Sequence, residues 1–437
     1  MSSSRGAGCS DTVGLSGDPR DARALRASRT SDAGSTDRPG ISIFGLALVS
    51  SVGAFGTHLL LPALPAIREQ FDVSGGQAQL VVSLSLLALA VGALSNGPLS
   101  DRFGRRPVAR FGLLLYVLGS LVAWQAPDLW TVLAGRIIQA LGGGAAITVV
   151  RALIRDLYDR DTAASVHGYM ASFVLIVPML VPFLGGVLTD YLGWRSNFIA
   201  AAAVGVAVSV FVMLRLPETR HLGAGEDRSI GMLPSLGELM RERTFLGFAL
   251  TYACSMAATQ AFISGAPLVV IGTLGLSPSE YGLWYMISAA ASLAGFWLAG
   301  RYSSRRGVHA MIATGLPLSL AATVAVLAIG TGFGYTPLLF FLPAMWHTFA
   351  NALIVPNATS GAISARPDIA GAAAGLLGFL QFVLSAVAAQ LAGVLQDRCE
   401  YGVAMVMLGF SVAAALFYVL LVLPIRRHGK GQGVAAQ

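Results

Sequence analysis

Charged residues are scarce in this sequence. Only 12% of its 437 residues are Asp, Glu, Lys or Arg, whereas roughly a quarter is usual for a soluble domain. Hydrophobic residues make up 55% of the chain, and the mean hydropathy is +0.69. This composition excludes an ordinary soluble globular protein and indicates a chain that crosses a membrane several times.

Cysteine and lysine are also nearly missing. The three cysteines, Cys9, Cys254 and Cys399, are too few and too scattered for a disulfide framework or a metal cluster, so we predict no metal and no cofactor. Lys430 is the one lysine among the 29 basic residues. The basic residues are grouped in alternate loops, which membrane orientation explains, and we therefore expect no nucleic-acid partner despite a pI near 9.6.

Acidic residues are absent from the apolar runs, except at their ends. We count twelve runs, each near the ~20 residues that span a bilayer as a helix: residues 43–64, 78–97, 108–125, 129–150, 167–188, 196–216, 245–270, 282–300, 309–331, 336–355, 370–393 and 403–424. No metal-ligand spacing, nucleophile elbow or phosphate loop occurs in them, so we expect no enzyme. The prediction is an all-α membrane protein with twelve transmembrane helices.

The runs fall into two sets of six. Residues 41–216 and 245–424 form the predicted N-terminal and C-terminal six-helix bundles, joined by a polar cytoplasmic loop over 217–244. Their similar lengths indicate an internal repeat. Residues 1–40 are rich in Ser, Gly, Asp and Arg and predict a disordered tail, and residues 425–437 predict a short C-terminal tail.

Basic residues in loops predict the orientation. Outside the apolar runs, Arg68, Arg195 and Arg398 alone lie on one side, and all the other basic residues lie on the side that includes both tails. Loops rich in Arg and Lys stay in the cytoplasm. We therefore predict an inner-membrane protein with both termini cytoplasmic. Arg136 is the exception, because it falls inside predicted helix 4.

A charged loop between predicted helices 2 and 3 carries a regular motif. Its glycines allow close approach and a sharp turn, and its arginines mark the cytoplasmic side. The motif residues are Gly97, Asp101, Arg102, Gly104, Arg105 and Arg106. This spacing resembles the signature between helices 2 and 3 of the major facilitator superfamily. The pair Arg305 and Arg306 follows predicted helix 8 in the same way.

Further stretches narrow the resemblance. They are residues 61–67, 136–144, 151–158, 177–186, 216–219, 264–267, 356–358 and 371–375. Together they resemble the bicyclomycin and chloramphenicol resistance (Bcr/CflA-type) branch of drug:proton antiporters. The resemblance implies two parallel six-helix repeats around a central site, and export of small amphipathic drugs in exchange for protons by alternating access. Export of a metabolite such as an amino acid, and a uniporter without proton coupling, remain open alternatives.

The predicted proton-coupling site departs from the branch. An aspartate is usual three residues before the Leu-Pro-Ala-Leu-Pro sequence, and this chain has His58 there. His58 and Arg136 each lie about 9 Å from the outer end of their helices, at about 1.5 Å per residue. A histidine suits proton exchange, because its ordinary pKa of about 6.5 is near working pH. We hypothesise that the two form a coupling pair. The alternative for Arg136 is that its side chain extends to the outer surface of the membrane. The alternative for His58 is that it is a packing residue, with proton coupling moved to His347 or lost.

Three further sets of residues complete the predicted site. Asp101, with Arg102 and Arg106, is hypothesised to latch the two halves in the outward-facing state against the start of helix 11. In helix 5, Pro178, Pro182, Gly185 and Gly186 predict a hinge or seal, with ordinary close packing as the alternative. Polar and aromatic residues within the helices are predicted to line the substrate cavity, with helix packing as the alternative for any one of them. They are Gln139, Tyr169, Phe173, Tyr252, Gln260, Trp346, Asn351 and Gln381. The predicted partners are a small-molecule substrate, protons and lipid, around a monomer.

Overall fold

Long helices make up nearly all of the computed structural model, which describes residues 43–157, 160–216 and 232–424. The first six are α1 (Ile43–Gln70), α2 (Gly75–Phe103), α3 (Arg105–Trp124), α4 (Leu129–Leu157), α5 (Arg160–Leu192) and α6 (Arg195–Arg215). The predicted tails, 1–40 and 425–437, lie outside the described residues, as does much of the predicted loop 217–244.

The second six helices follow a short helix, Met232–Leu239. They are α7 (Arg243–Val270), α8 (Pro278–Arg306), α9 (Val308–Gly332), α10 (Pro337–Ala365), α11 (Ala370–Gln396) and α12 (Gly402–Phe417), which ends in a π-helical turn, Tyr418–Val422. Among the described residues, eleven helices are long and apolar enough to cross a membrane, and α5 contains the shorter apolar segment Ile176–Leu192. The predicted all-α fold is confirmed.

The helices extend beyond the predicted apolar runs. The charged loop predicted over 97–108 is wrong, because α2 continues to Phe103 and α3 begins at Arg105. Gly104 alone makes the turn, with a φ of 99° that glycine adopts without strain. At the end of α1, a 3₁₀ turn over Leu61–Ala63 carries the chain past its prolines into Leu64–Gln70. Hydropathy reports the thickness of the bilayer, whereas hydrogen bonding decides where a helix ends.

The internal repeat is visible in how α2 and α8 begin and end. Ser74 and Gln77 form a capping box at the start of α2, and Ser277 and Glu280 form one at the start of α8. Both helices have 29 residues and end at a glycine with positive φ, Gly104 or Gly307. The two capping boxes and the two end glycines are therefore separated by the same number of residues along the chain. This is expected for two parallel repeats.

The hydrogen bonds and close glycine contacts that join the two halves lie toward one side of the membrane region, among the residues that the structure describes. We call the side with Gly104 and Gly307 the arginine-rich face, and the side where α2 and α8 begin the opposite face. At the opposite face, α2 packs against α11 and α5 against α8. At the arginine-rich face, a Cβ on Gly371 or Gly375 of α11 would meet no atom of the described chain within 4 Å. The face of α11 that carries these two glycines therefore has open space beside it, whereas Ala373 on the same turn is buried.

Candidate functional site

A buried arginine joins three helices of the first half. Arg136 on α4 is only 2% exposed. Its Nη1 donates to the Gly56 carbonyl of α1 at 3.1 Å and to Gln139 Oε1, and its Nε donates to the Val81 carbonyl of α2 at 3.5 Å. Nη2 has no hydrogen-bond partner among the described residues. These contacts hold the guanidinium in the bundle, so the alternative that its side chain extends to the outer surface of the membrane is wrong.

His58 lies on the turn of α1 that Arg136 contacts. Gly56, which accepts the hydrogen bond from Arg136, precedes His58 by two residues. His58 is half-buried, and within the described part of the chain its Nδ1 has no hydrogen-bond partner. The Arg136 guanidinium of α4 therefore contacts the turn of α1 that carries His58. The described part of the chain shows no hydrogen bond between the two side chains. An imidazole nitrogen with no partner is available to exchange a proton.

His347 has different surroundings in the second half. It is fully buried on α10. Its Nδ1 lies 3.0 Å from Ser319 Oγ of α9, and its Nε2 lies 3.2 Å from Thr259 Oγ1 of α7. Asn351 donates to the same Thr259 hydroxyl and to the Ser255 carbonyl at 3.1 Å. Both nitrogens of His347 are engaged, so this histidine ties three helices together.

The motif at the end of α2 is a network within the first half. Arg105 lies 2.5 Å from Asp101, donates to Asp156 on α4 at 3.0 Å, and donates to Ser100 Oγ at 2.6 Å. Arg106 donates to the Met213 carbonyl of α6, and the Arg102 guanidinium lies over the Phe103 ring. A Cβ on Gly97 would lie 3.9 Å from Thr148 Cγ2 of α4. These contacts join α2, α3, α4 and α6 at the end of the first half.

Two glycines of α5 lie against the backbone of neighbouring helices, and one of these contacts joins the two halves. A Cβ on Gly186 would lie 2.2 Å from the Pro278 carbonyl oxygen of α8, and one on Gly185 would lie 2.0 Å from the Leu59 carbonyl oxygen of α1. From the other side, a Cβ on Gly282 of α8 would lie 2.4 Å from Phe183 Cα. Pro178 and Pro182 lie within the same helix. Close approach at Gly185 and Gly186 was predicted as a hinge or seal, and the geometry is that of a backbone contact with no room for a side chain.

Two aspartates that sequence reasoning missed also join the halves at the opposite face. Asp397, at the end of α11, accepts hydrogen bonds from the Gly75 and Gly76 amides of α2 at 2.9 and 2.8 Å. Asp190, near the end of α5, accepts one from the Ser279 amide of α8 at 2.9 Å. In both cases a carboxylate of one half caps a helix N-terminus of the other, where it is stabilised by the helix dipole. The sequence signal that could have identified them is that the two aspartates occupy equivalent positions, at the ends of helices 5 and 11.

The predicted cavity residues have different surroundings in the structure. Gln139 and Asn351 are buried in the polar clusters around Arg136 and His347. Tyr252, Gln260 and Gln381 are half-buried, and the Tyr252 hydroxyl donates to Gln381 Oε1 at 2.5 Å. Trp346 is 53% exposed and packs edge-on against Phe349. Tyr169 and Phe173 lie on α5, and their side chains are outside the described part of the structure.

A bundle whose halves meet at one face and part at the other has the architecture of a secondary transporter. The sequence profile of the Major Facilitator Superfamily matches residues 46–389, and the chain belongs to that superfamily. It is a multi-pass inner-membrane protein that handles small molecules, a transporter rather than an enzyme.

Individual relatives refine this assignment. The chain is 28% identical over 396 residues to Multidrug resistance protein D of Escherichia coli (strain K12), covering 89% of this chain and 96% of that protein. It is 30% identical over 323 residues to a Chloramphenicol resistance protein of Pseudomonas aeruginosa, covering 73% and 76%. The predicted resemblance to the Bcr/CflA-type branch is confirmed. The fold is similar to that of a bacterial homolog of the human lysosomal transporter Spinster in an inward-facing and occupied conformation, with a TM-score of 0.71, 16% identity and coverage of 87% and 96%.

Proposed function

We propose that this protein exports small amphipathic compounds, drugs among them, in exchange for protons by alternating access. The observation that carries the proposal is the asymmetry between the faces. Backbone contacts and two aspartate caps join the halves at the opposite face, whereas at the arginine-rich face Gly371 and Gly375 of α11 have open space beside them in the described chain. With the arginine-rich face in the cytoplasm, the conformation is inward-facing and ready to load substrate.

Proton coupling is assigned to His58 beside Arg136. No carboxylate lies in the middle of a described spanning helix, so a titratable group for exchange must come from another residue type. His58 has a nitrogen with no hydrogen-bond partner among the described residues, on the turn of α1 whose Gly56 carbonyl accepts from Arg136, whereas His347 is held by two hydroxyl groups. Intramembrane ionisable residues are costly and mark ion pathways by default.

Transport by purified protein in liposomes tests this function. A fluorescent amphipathic drug is added to proteoliposomes with an imposed pH gradient, and its movement is compared with that in protein-free liposomes. Gradient-driven accumulation that collapses with a proton ionophore supports antiport. Movement that only equilibrates the drug indicates a uniporter, and no movement of any of a panel of drugs contradicts drug export.

Orientation gives a prediction that needs no substrate. In a background with Cys9, Cys254 and Cys399 replaced, we expect Thr273→Cys, exposed at the opposite face, to react in intact cells with a membrane-impermeant thiol reagent. Ser304→Cys, exposed at the arginine-rich face, should react only after the cells are lysed. The reverse pattern of labelling contradicts the proposed orientation.

The second prediction concerns Asp101. We expect Asp101→Asn to insert and fold normally yet lose most transport, roughly tenfold or more if the latch is worth at least about 1.4 kcal/mol. The reason is that a carboxylate at the end of its own helix opposes the dipole there, and the start of α11 offers a favourable helix N-terminus when the arginine-rich face closes. Arg301→Gln, an exposed change on the same face, is the control. Unchanged drug transport by Asp101→Asn at equal expression contradicts the latch.

A further inference from the structure

A second arginine lies inside a spanning helix and was placed in a loop by sequence reasoning. Arg151 was expected after helix 4, but α4 continues to Leu157 and its spanning segment runs to Ile154. Arg151 is about 9 Å from the end of α4, at about 1.5 Å per residue. It is exposed, while its neighbours Val150 and Leu153 are fully buried in the core of the first half.

Arg151 lies within electrostatic reach of the second half of the protein. It interacts electrostatically with Tyr252 of α7, a residue of the other bundle whose hydroxyl donates to Gln381 of α11. Because Arg151 is exposed although it lies close to a side chain of the other half, it borders the open space between the halves. It forms no ion pair within the part of the chain that the structure describes.

Arg151 and Gln381 together supply more donors than acceptors. A guanidinium carries five N–H donors and no acceptor. The Gln381 carbonyl oxygen is occupied by the Tyr252 hydroxyl, so its amide NH₂ is left to donate. A ligand that satisfies both groups has to bring acceptor oxygens, and an oxyanion does so with a favourable charge as well.

We propose that Arg151 binds an oxyanion of the transported compound, such as a carboxylate, with Gln381 donating to the same group. Acidic amphipathic molecules are then the preferred cargo. The inference rests on the proposed export function and specifies its substrate class. It also agrees with the direction of transport, because the membrane potential favours the exit of an anion from the cell, by about 2.3 kcal/mol per charge per 100 mV.

The test uses two fluorescent compounds that differ in one group. A boron-dipyrromethene dye with a free carboxylate is compared with its methyl ester, by fluorescence anisotropy in an uncharged detergent that supplies no lipid phosphate. Wild type should bind the acid about tenfold more tightly than the ester, in line with a charge-assisted hydrogen bond. Arg151→Gln should bind both dyes with the affinity of the ester. Arg151→Lys, which keeps the charge, should retain part of the preference.

A control variant and the export assay separate the possible failures. Arg301→Gln removes an exposed arginine that lies over Trp297 on the same face, and it should keep the full preference. Equal binding of acid and ester by wild type, or an undiminished preference in Arg151→Gln, overturns the oxyanion site. If wild type nevertheless exports the ester, the proposed function stands without it. If wild type neither binds nor exports either dye, both proposals fall.

Discussion

Replacing His58 with glutamine should abolish the proton release that accompanies substrate binding. In detergent, the wild-type protein is expected to release at most one proton per substrate bound, since a single histidine changes its charge by one. His58→Gln should bind substrate and release none, because glutamine is similar in size and does not titrate. In vesicles, the same variant should still equilibrate substrate across the membrane but should not accumulate it against a gradient.

The matched control is His347→Gln. His347 is fully buried, and both its nitrogens contact hydroxyl groups, so it holds helices together. We expect this variant to be less stable, by about 1–3 kcal/mol for a buried partner left unsatisfied, and to release protons like wild type. Retention of proton release and of accumulation by His58→Gln contradicts the coupling pair. Loss of both only in His347→Gln moves coupling to the second half.

Replacing Gly186 with alanine should prevent the opposite face from closing. The added Cβ would lie 2.2 Å from the Pro278 carbonyl oxygen and 2.8 Å from Ser279 Cα, which are backbone atoms and cannot rotate away. Overpacking typically costs about 1–3 kcal/mol, which at about 1.4 kcal/mol per factor of ten shifts the ratio of the two conformations by roughly fivefold to 150-fold. Export should fall by a similar factor, because the inward-facing state can no longer be reached readily.

Spin labels report this shift directly. Trp130 at the start of α4 and Phe333 at the end of α9 are 72% and 87% exposed at the opposite face, one in each half. The distance between labels at these positions should lengthen in Gly186→Ala. Gly409→Ala, where a Cβ would meet no described atom within 4 Å, should leave distance and export unchanged. A short distance together with normal export in Gly186→Ala contradicts the role of this contact.

The fold was largely predictable, because the membrane imposes one rule on every segment. Each spanning helix must satisfy its own backbone and present apolar side chains, so the helices are visible as runs of hydropathy. Their ends were less predictable. The last turns of α2 and α4 carry charged residues and extend past the apolar run, and hydropathy alone assigns such turns to loops. Arg151 was misplaced for this reason.

Depth along the chain was readable within one half but not between the halves. Counting residues along two helices put His58 and Arg136 at one level, and Arg136 donates to Gly56, two residues before His58; their role as a coupling pair stays a prediction. The contacts of Asp397 and Asp190 join segments far apart in sequence. They depend on which conformation the protein adopts, and a sequence does not state that. A carboxylate at the end of a helix looks the same whether it is solvated or caps another helix.

The glycine contact between α5 and α8 has a consequence for how the protein moves. Where side chains seal a gate, each has to be fixed in one rotamer as the gate closes, and the lost conformational entropy opposes closure. At Gly186 the surfaces that meet are main chain on both sides, already ordered within their helices. Closing this part of the face freezes no rotamer, so the two halves can rock together and apart as rigid bodies with little entropic resistance at the point where they touch.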